Sequence, residues 1–290
     1  MQFEVKRDIL LKSLNFVQGI VEKKNTLPIL SNVLIQLKDN KLSIVATDLD
    51  IIFYDEISNV KILKEGSTTT SAAILYDILR KISSESDINF NLMSENKLNI
   101  KSDNSNFNLL CLPTDNFPTF ADKFTSKEIL LKNDNFLKLL NKTKISISND
   151  DTRHYLNGIF LHLTEAHGRT FLTGVATDSH RLSSSSLEIG NTNDFSPLIL
   201  PRKTINQLCS LLVDTVEELK MCISDNKIKF SLGKVKLISK VIDGKFPDYN
   251  KVVPTNNDKI LIVSSKDFIN SIERVTSVSL DRKEGVKLLI

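Results

Sequence analysis

The chain has 290 residues, of which 41% are hydrophobic and 25% are charged, and its formal net charge is +3. These values are typical of a globular protein of two or three domains. No run approaches the roughly 20 apolar residues that cross a bilayer, and the first residues lack the basic start and apolar stretch of a signal peptide. The sequence therefore predicts a cytoplasmic protein with no membrane partner.

The cysteines and glycines exclude further classes of protein. The three cysteines, Cys111, Cys209 and Cys222, are far apart and form no Cys-x-x-Cys pair, so neither a disulfide framework nor a zinc ribbon is predicted. No two of the nine glycines fall within four positions of each other. The two common glycine-rich nucleotide-binding loops are thus excluded, and no cofactor is predicted.

The predicted elements mix helices and strands. Residues 8–21 and 71–82 repeat apolar side chains at helical spacing. Residues 33–44 instead alternate with period two around a turn at 38–41 that is rich in Asp and Asn, as expected of a hairpin. Residues 219–230 repeat that hairpin pattern. The fold class is α+β, with two helices backed by antiparallel sheets.

The same pattern returns along the chain with a period near 130 residues. Asp8, Asp134 and Asp267 open similar amphipathic segments, 126 and 133 residues apart. The segment 45–48 (VATD) recurs as 175–178, and the segment 116–120 (NFPTF) recurs as 245–249 (KFPDY). A period of this length is that of a whole domain. We predict three copies of one domain, at residues 1–125, 126–253 and 254–290.

The third copy is predicted to be incomplete. Ile290 falls inside a strand-like run that matches the one beginning at Gly158, and the second copy continues for 94 residues from Gly158 to Val252. We therefore expect the natural chain to be longer by about 90 residues, which is the size of a missing part of a domain.

Positive charge is concentrated on the predicted helices. Five helical stretches, at 6–20, 71–82, 134–145, 202–214 and 266–274, carry a net charge of +6, which leaves the rest of the chain net negative. On the third stretch, Lys138 and Lys142 project away from Phe136 and the apolar stripe. This pattern is typical either of a solvated helix face or of a surface that meets phosphates without reading bases.

Six segments resemble the beta sliding clamp family, the processivity subunits of bacterial DNA polymerase III, in order and spacing over the whole chain. They are residues 26–32 (TLPILSN), 46–50 (ATDLD), 153–158 (RHYLNG), 176–182 (ATDSHRL), 200–203 (LPRK) and 243–249 (DGKFPDY). The resemblance implies tandem DNA-clamp domains and a head-to-tail homodimer ring around double-stranded DNA, held without base recognition. It also implies a non-catalytic subunit of a DNA-directed DNA polymerase complex.

The resemblance also implies site residues and partners. The DNA-binding positions are Lys24, Arg80, Arg153, His154, Tyr155, Arg202 and Lys203. A groove for short peptides of the replicative polymerase subunit, the clamp loader and other clamp-binding proteins is implied at Leu156, Thr177, Ser179, His180, Arg181, Leu182, Pro247 and Val252. The dimer interface is implied at Phe107, Leu109, Ser277 and Val278. Ser179 stands where the family usually has glycine.

Two other functions compete with this one. A divergent or truncated relative would dock peptides without closing a ring. A hydrolase would use Asp178, His180 and a serine among residues 183–186. However, the chain contains no Gly-x-Ser-x-Gly motif to display a nucleophile, and His162 and His167 have no neighbouring ligand set for a metal. The sequence therefore favours a clamp that is not an enzyme.

Overall fold

The computed structural model describes residues 1–22, 26–118, 124, 126–190, 195–213, 215, 217–224, 226–278 and 285–289. It divides into two compact units, Met1–Phe246 and Pro247–Ile290, and each is described by itself. The predicted domain boundaries after residues 125 and 253 stay predictions.

Helices form where the sequence repeats apolar residues every three or four positions. Over the described ranges they are α1 (Arg7–Ile20), α2 (Ala72–Lys81), α3 (Asn133–Thr143), α4 (Arg202–Leu212) and α5 (Ser265–Thr276). The helices predicted at 8–21 and 71–82 are confirmed. The Ser71 hydroxyl caps α2 by accepting the Ile74 N–H. No helix among the described residues is long and apolar enough to span a membrane.

The strands occupy the segments between the helices. In the part of the chain that the structure describes they are β1 (Gln2–Lys6), β2 (Asn32–Lys38), β3 (Lys41–Thr47), β4 (Ile51–Ile57), β5 (Val60–Lys64), β6 (Gly66–Ser71), β7 (Asp87–Ser94), β8 (Lys97–Ser102), β9 (Ser105–Leu112), β10 (Ile129–Leu131), β11 (Gly158–Ala166), β12 (Arg169–Thr177), β13 (Leu182–Ile189), β14 (Leu198–Pro201), β15 (Leu219–Ser224), β16 (Lys227–Leu232) and β17 (Val235–Lys240). The hairpins predicted at residues 33–44 and 219–230 are present as β2–β3 and β15–β16.

The first two copies share one element order. Each has a strand, a helix, three antiparallel strands, a second helix and a final group of three strands; before the second helix the first copy adds β5 and β6, and the second copy adds β14. The described strands form a sheet of order β10-β15-β16-β17-β4-β3-β2-β6-β9-β8-β7-β1-β5 and a sheet of order β13-β12-β11-β14. The repeat predicted from sequence is therefore present in the fold of the first two copies.

The larger sheet runs from the first copy into the second. β17 pairs antiparallel with β4, and Leu237 lies opposite Phe53. Both side chains are buried in the core. Because the sheet continues from one copy to the next, the backbone N–H and C=O groups of β4 and β17 bond to each other. In separate copies these groups would be unpaired at an open edge.

In the first unit, helices α1 to α4 form one layer against these sheets. α1 packs against α2 and α4, and α4 packs against α3. α1 also contacts β3 and β4, while α3 contacts β12 and β13. α1 approaches α4 closely at Gly19, where a Cβ would lie 1.9 Å from the Gln207 amide nitrogen and would displace that flexible side chain. The order across the layer is α2, α1, α4, α3.

Candidate DNA-facing layer and partner-binding turn

Two lysines on α3 point out of the helix layer. Lys138 and Lys142 are exposed, whereas Phe136, Leu139 and Leu140 of the same helix are buried. The predicted projection of the lysines away from the apolar stripe is confirmed. Neither lysine forms an ion pair with any acidic side chain that the structure describes. Their charge is directed to solvent, where it attracts phosphates at long range.

Arg80 lies at the C-terminal end of α2. Its side chain is exposed, pairs with Asp77 at 3.5 Å, and places its guanidinium carbon 5.8 Å from the Tyr76 ring centroid. An exposed pair of this kind contributes little to stability. The guanidinium therefore remains accessible to a phosphate.

Arg153 is held between two elements. It lies in a short 3-10 segment, Asp151–Leu156, and its Nε donates to Asp150 Oδ2 at 2.9 Å. Its terminal nitrogen donates to Ser179 Oγ at 2.6 Å. Hydrogen bonds from Thr152 and then from Arg153 hold the pKa of Asp150 below its ordinary value, so the carboxylate is ionised at neutral pH. The arginine is thus fixed in position and still 37% exposed.

The two residues after Arg153 differ in burial. His154 is exposed, and Tyr155 is half-buried with its ring edge-on to the histidine at 5.8 Å between centroids. Gly244 closes against the tyrosine with a φ of +147°, and a Cβ placed on this glycine would lie only 3.1 Å from the Tyr155 Cβ. Glycine is required there because other residues avoid that backbone conformation.

Arg202 and Lys203 have structural partners. The Arg202 guanidinium donates to Asn149 Oδ1 and to the Ser148 carbonyl oxygen, which ties the start of α4 to the preceding loop. Lys203 Nζ donates to the Ile20 carbonyl oxygen at 2.8 Å and to Asp48 Oδ2 at 2.5 Å. Both charges are therefore largely satisfied inside the protein, and a DNA contact by either stays a prediction. Lys24 lies outside the described residues.

The turn between β12 and β13 repeats the turn between β3 and β4. Asp178 Oδ1 accepts the backbone N–H groups of His180 and Arg181, as Asp48 Oδ1 does for two residues in the first copy. Leu49 and Ser179 both adopt a left-handed backbone, with φ of 80° and 77°. The sequence repeat at 45–48 and 175–178 thus encodes one turn twice.

This turn explains the serine at 179. A left-handed φ favours glycine and strains other residues. Ser179 adopts this strained conformation, and its hydroxyl accepts a hydrogen bond from Arg153. The backbone is therefore the one that glycine would take, and the side chain connects the turn to the segment that carries Arg153.

The predicted groove residues lie in both compact units. In the first unit, Leu156 is buried, Thr177 and Leu182 are half-buried, and Ser179, His180 and Arg181 are exposed. The Arg153–Ser179 hydrogen bond brings the turn beside the segment that contains Leu156. In the second unit, Pro247 and Val252 are exposed.

The predicted dimer residues are exposed to different degrees. Phe107 is half-buried and lines a cavity of about 450 Å³ with Ile74 and Ile78 of α2. Leu109 is only 7% exposed because it points into the core, so it offers little area to another chain. Ser277 and Val278, at the end of α5, are exposed. The interface itself stays a prediction.

The arrangement gives little support to hydrolysis. Burial raises the pKa of Asp178, but hydrogen bonds from His180 and Arg181 outweigh it, and the pKa lies below its ordinary value. The Arg181 guanidinium also binds the same carboxylate at 3.0 Å. A carboxylate held by these hydrogen bonds caps a turn and is a poor base. Over the described ranges, no cluster of His, Cys, Asp and Glu could hold a metal ion.

Comparison with known proteins decides among the remaining functions. The family model for the N-terminal domain of the DNA polymerase III beta subunit matches residues 1–121, and the model for its central domain matches residues 130–248. The chain belongs to the beta sliding clamp family. A beta sliding clamp of Caulobacter vibrioides (strain NA1000) is 37% identical over 292 residues, which cover all of this chain and 78% of the relative.

Solved clamp structures have the same fold. The crystal structure of the Caulobacter crescentus beta sliding clamp matches with a TM-score of 0.93 and 37% identity, over 97% of this chain and 75% of that one. A Bartonella birtlesii clamp bound to griselimycin matches with a TM-score of 0.92 and 38% identity, over 97% and 76%. The clamp fold that the family resemblance implies is confirmed, and the chain functions as a DNA sliding clamp.

Proposed function

We propose that this clamp encircles duplex DNA as a head-to-tail homodimer ring, with the helix layer toward the DNA and the strands outside. The observation that carries the proposal is the pair of exposed lysines, Lys138 and Lys142, on a helix whose other face is buried. The clamp itself is non-catalytic and cytoplasmic. It raises the processivity of the replicative polymerase by tethering it to DNA.

Long-range attraction suits a protein that slides. Lysines that are exposed on a helix neutralise phosphates and release counterions, and this energy is nearly independent of sequence. Base-edge contacts would instead give preferred positions along the DNA. The ring is expected to hold DNA by its closed shape, so each charge contact can remain weak.

Ring closure is supported by complementary apolar features on the two units. The cavity beside Phe107 is lined from α2 by the apolar Ile74 and Ile78 and by the charged Asp77 and Lys81. On the second unit, α5 exposes Ile269, and Val278 follows the helix at 83% exposure. Insertion of such side chains from one chain into the cavity of another would bury both surfaces, as heterologous ring interfaces do.

Partner docking is proposed at the turn 177–182. There, the half-buried Leu182 follows the exposed polar residues 179–181, and the Asp178 cap fixes the backbone of the turn. Short peptides of the replicative polymerase, the clamp loader and other clamp-binding proteins would place an apolar side chain beside Leu182. A rigid turn reduces the entropic cost of such binding.

Charge reversal tests the DNA-facing layer. Lys138→Glu together with Lys142→Glu is expected to weaken binding to a duplex and to reduce its salt dependence, equally for unrelated sequences. The matched control is Lys97→Glu together with Lys101→Glu, which changes two exposed lysines of β8 by the same total charge. Equal weakening by both pairs would contradict a DNA-facing helix layer.

A clamp that docks peptides without closing a ring would behave differently in solution and on DNA. It would bind the peptide normally and sediment as a monomer at every concentration, and its retention on DNA would not depend on the DNA ends. Sedimentation velocity over a concentration series separates the two functions.

A further inference from the structure

One side chain joins the segment that carries Arg153 to the turn at 177–182. Arg153 Nη1 donates to Ser179 Oγ at 2.6 Å, and its Nε donates to Asp150 Oδ2 at 2.9 Å. Among the described residues, the bond to Ser179 is the one side-chain hydrogen bond that links this turn to another segment. The other side-chain hydrogen bonds of the turn run between residues 177 and 181. Without the Arg153 bond, the turn would be held only by its own residues and by the two strands that it connects.

Ser179 is the residue of the turn that needs this support. Its φ is 77° and its side chain is exposed. A residue other than glycine keeps a left-handed backbone where its surroundings hold it there. The hydrogen bond from Arg153 supplies such a restraint and keeps the turn in one conformation before a peptide arrives. An ordered turn binds a peptide at a lower entropic cost.

The internal repeat shows that this bond is confined to the second copy. Leu27 and Arg153 each lie five positions before the first residue of a strand, β2 in the first copy and β11 in the second. Leu49 occupies the place of Ser179 after the repeated VATD segment. Two leucine side chains cannot form a hydrogen bond. The connection is therefore present in the copy that carries the proposed docking turn and is impossible in the other.

The segment around Arg153 is held independently of Ser179. Asp150 Oδ1 accepts the Thr152 N–H at 3.0 Å, and Leu156, at the end of the segment, is 2% exposed. The bond from Arg153 Nε to Asp150 also lies within this segment. If the terminal nitrogens of Arg153 changed their acceptor, the turn would loosen and the segment would stay in place.

A DNA phosphate is a better acceptor for this guanidinium than Ser179. The Arg153 side chain is 37% exposed, so a phosphate can reach it. A phosphate carries a full charge and accepts two parallel hydrogen bonds from a guanidinium, whereas a serine hydroxyl is neutral. Because Nε is engaged by Asp150, the phosphate would take the terminal nitrogens, one of which binds Ser179.

We propose that Arg153 is a positioning residue through which DNA and partner peptides oppose each other's binding: a DNA phosphate takes the guanidinium from Ser179, and the turn at 177–182 then binds peptides more weakly. This inference rests on the proposed function, since it takes the turn as the docking site and Arg153 as a DNA contact. Coupling between two binding sites is reciprocal, so a docked peptide weakens the DNA contact by the same factor. The expected factor is about fivefold, at the low end of coupling between sites.

The test measures peptide affinity on and off DNA. The protein expressed from its own gene is loaded by its clamp loader onto a nicked circular plasmid and is separated from the loader by gel filtration. A fluorescein-labelled pentapeptide from the replicative polymerase is then titrated, and fluorescence anisotropy gives its dissociation constant. Wild-type clamp on the circle should bind the peptide about fivefold more weakly than free clamp. Linearisation of the plasmid, which releases the clamp, should restore the affinity.

Two substitutions of Ser179 distinguish coupling from a purely structural role. Ser179→Ala removes the acceptor, so this variant should bind the peptide about fivefold more weakly than wild type off DNA, and equally on and off the circle. Ser179→Asn keeps a side-chain acceptor and tolerates a left-handed backbone, so it should retain the dependence on DNA. A DNA effect that persists in Ser179→Ala would overturn the coupling.

Failure of the coupling differs from failure of the proposed function. If wild-type clamp is retained on the circle and binds the peptide there as tightly as in free solution, or more tightly, the coupling is overturned and the proposed function stands. If the clamp is not retained on the circle, or if Leu182→Asp leaves peptide binding unchanged, the proposed function fails and the coupling that rests on it fails too.

Discussion

Lys203 Nζ lies 2.5 Å from Asp48 Oδ2 and so joins α4 of the second copy to the turn after β3 of the first. The lysine side chain is 37% exposed and the aspartate side chain is 10% exposed. The same Nζ donates to the carbonyl oxygen of Ile20, the last residue of α1. One side chain thus fastens two repeats at the point where their helices meet.

Removal of this contact should cost stability. Lys203→Ala is expected to lower the free energy of unfolding by about 1–2 kcal/mol, a range that allows for the partial exposure of the lysine. Lys138→Ala, at an exposed position, is expected to change it by less than about 0.5 kcal/mol. Urea denaturation provides the measurement. An unchanged midpoint with weaker DNA binding would show that Lys203 serves DNA and does not join the repeats.

The left-handed backbone at Ser179 predicts a difference between two substitutions. Both Ser179→Gly and Ser179→Ala remove the hydrogen bond from Arg153, but only glycine relieves the strain of a φ of 77°. The glycine variant should therefore be more stable than the alanine variant by about 1 kcal/mol in urea denaturation. Equal stabilities would mean that the turn is unstrained.

The pKa of Asp55 predicts a pH-dependent effect. Burial raises the pKa of this carboxyl above its ordinary value of 3.8. The folded state therefore binds the proton more tightly than the unfolded state, and the ionised carboxylate reduces stability at neutral pH. Asp55→Asn should raise the melting temperature at pH 7, and the gain should shrink as the pH falls through the raised pKa. Asp115→Asn, at an exposed position, should change the melting temperature little at pH 7 and at lower pH. A gain that is independent of pH would contradict this account.

The turn at 177–182 predicts how partner peptides dock. A pentapeptide from the replicative polymerase should bind wild-type clamp and should lose at least about tenfold in affinity with Leu182→Asp, because a charge would lie under its apolar side chain. Leu110→Asp is the control, since Leu110 is 83% exposed and lies on β9. Isothermal calorimetry measures both. Unchanged affinity after Leu182→Asp would place the peptide elsewhere.

Much of the fold follows from local patterns in the sequence. The helix over Arg7–Ile20 and the hairpin of β2 and β3 follow from period and turn residues. The repeated VATD segment predicts that two turns share a structure, and both indeed carry the same aspartate cap. These features depend on neighbours along the chain, which is why the sequence reveals them.

The roles of the basic residues are harder to predict. Arg202 and Lys203 are the first two residues of α4, and in sequence they look equivalent to the exposed lysines of α3. Their carbonyl and carboxylate partners lie about 50 to 180 residues away, at positions such as Ser148, Ile20 and Asp48. Local sequence patterns do not reveal partners that are so far apart along the chain. Charge alone therefore does not distinguish a DNA-facing lysine from one that joins two repeats. The positions of Lys138 and Lys142, by contrast, follow from helical periodicity.

The most direct test of the central claim is retention on DNA of different topology. The protein expressed from its own gene is loaded by its clamp loader onto a nicked circular plasmid, and half of the sample is then linearised with a restriction enzyme. Gel filtration in moderate salt should show clamp retained on the circle and lost from the linear DNA, because a closed ring slides off free ends. Equal retention on both would contradict topological holding.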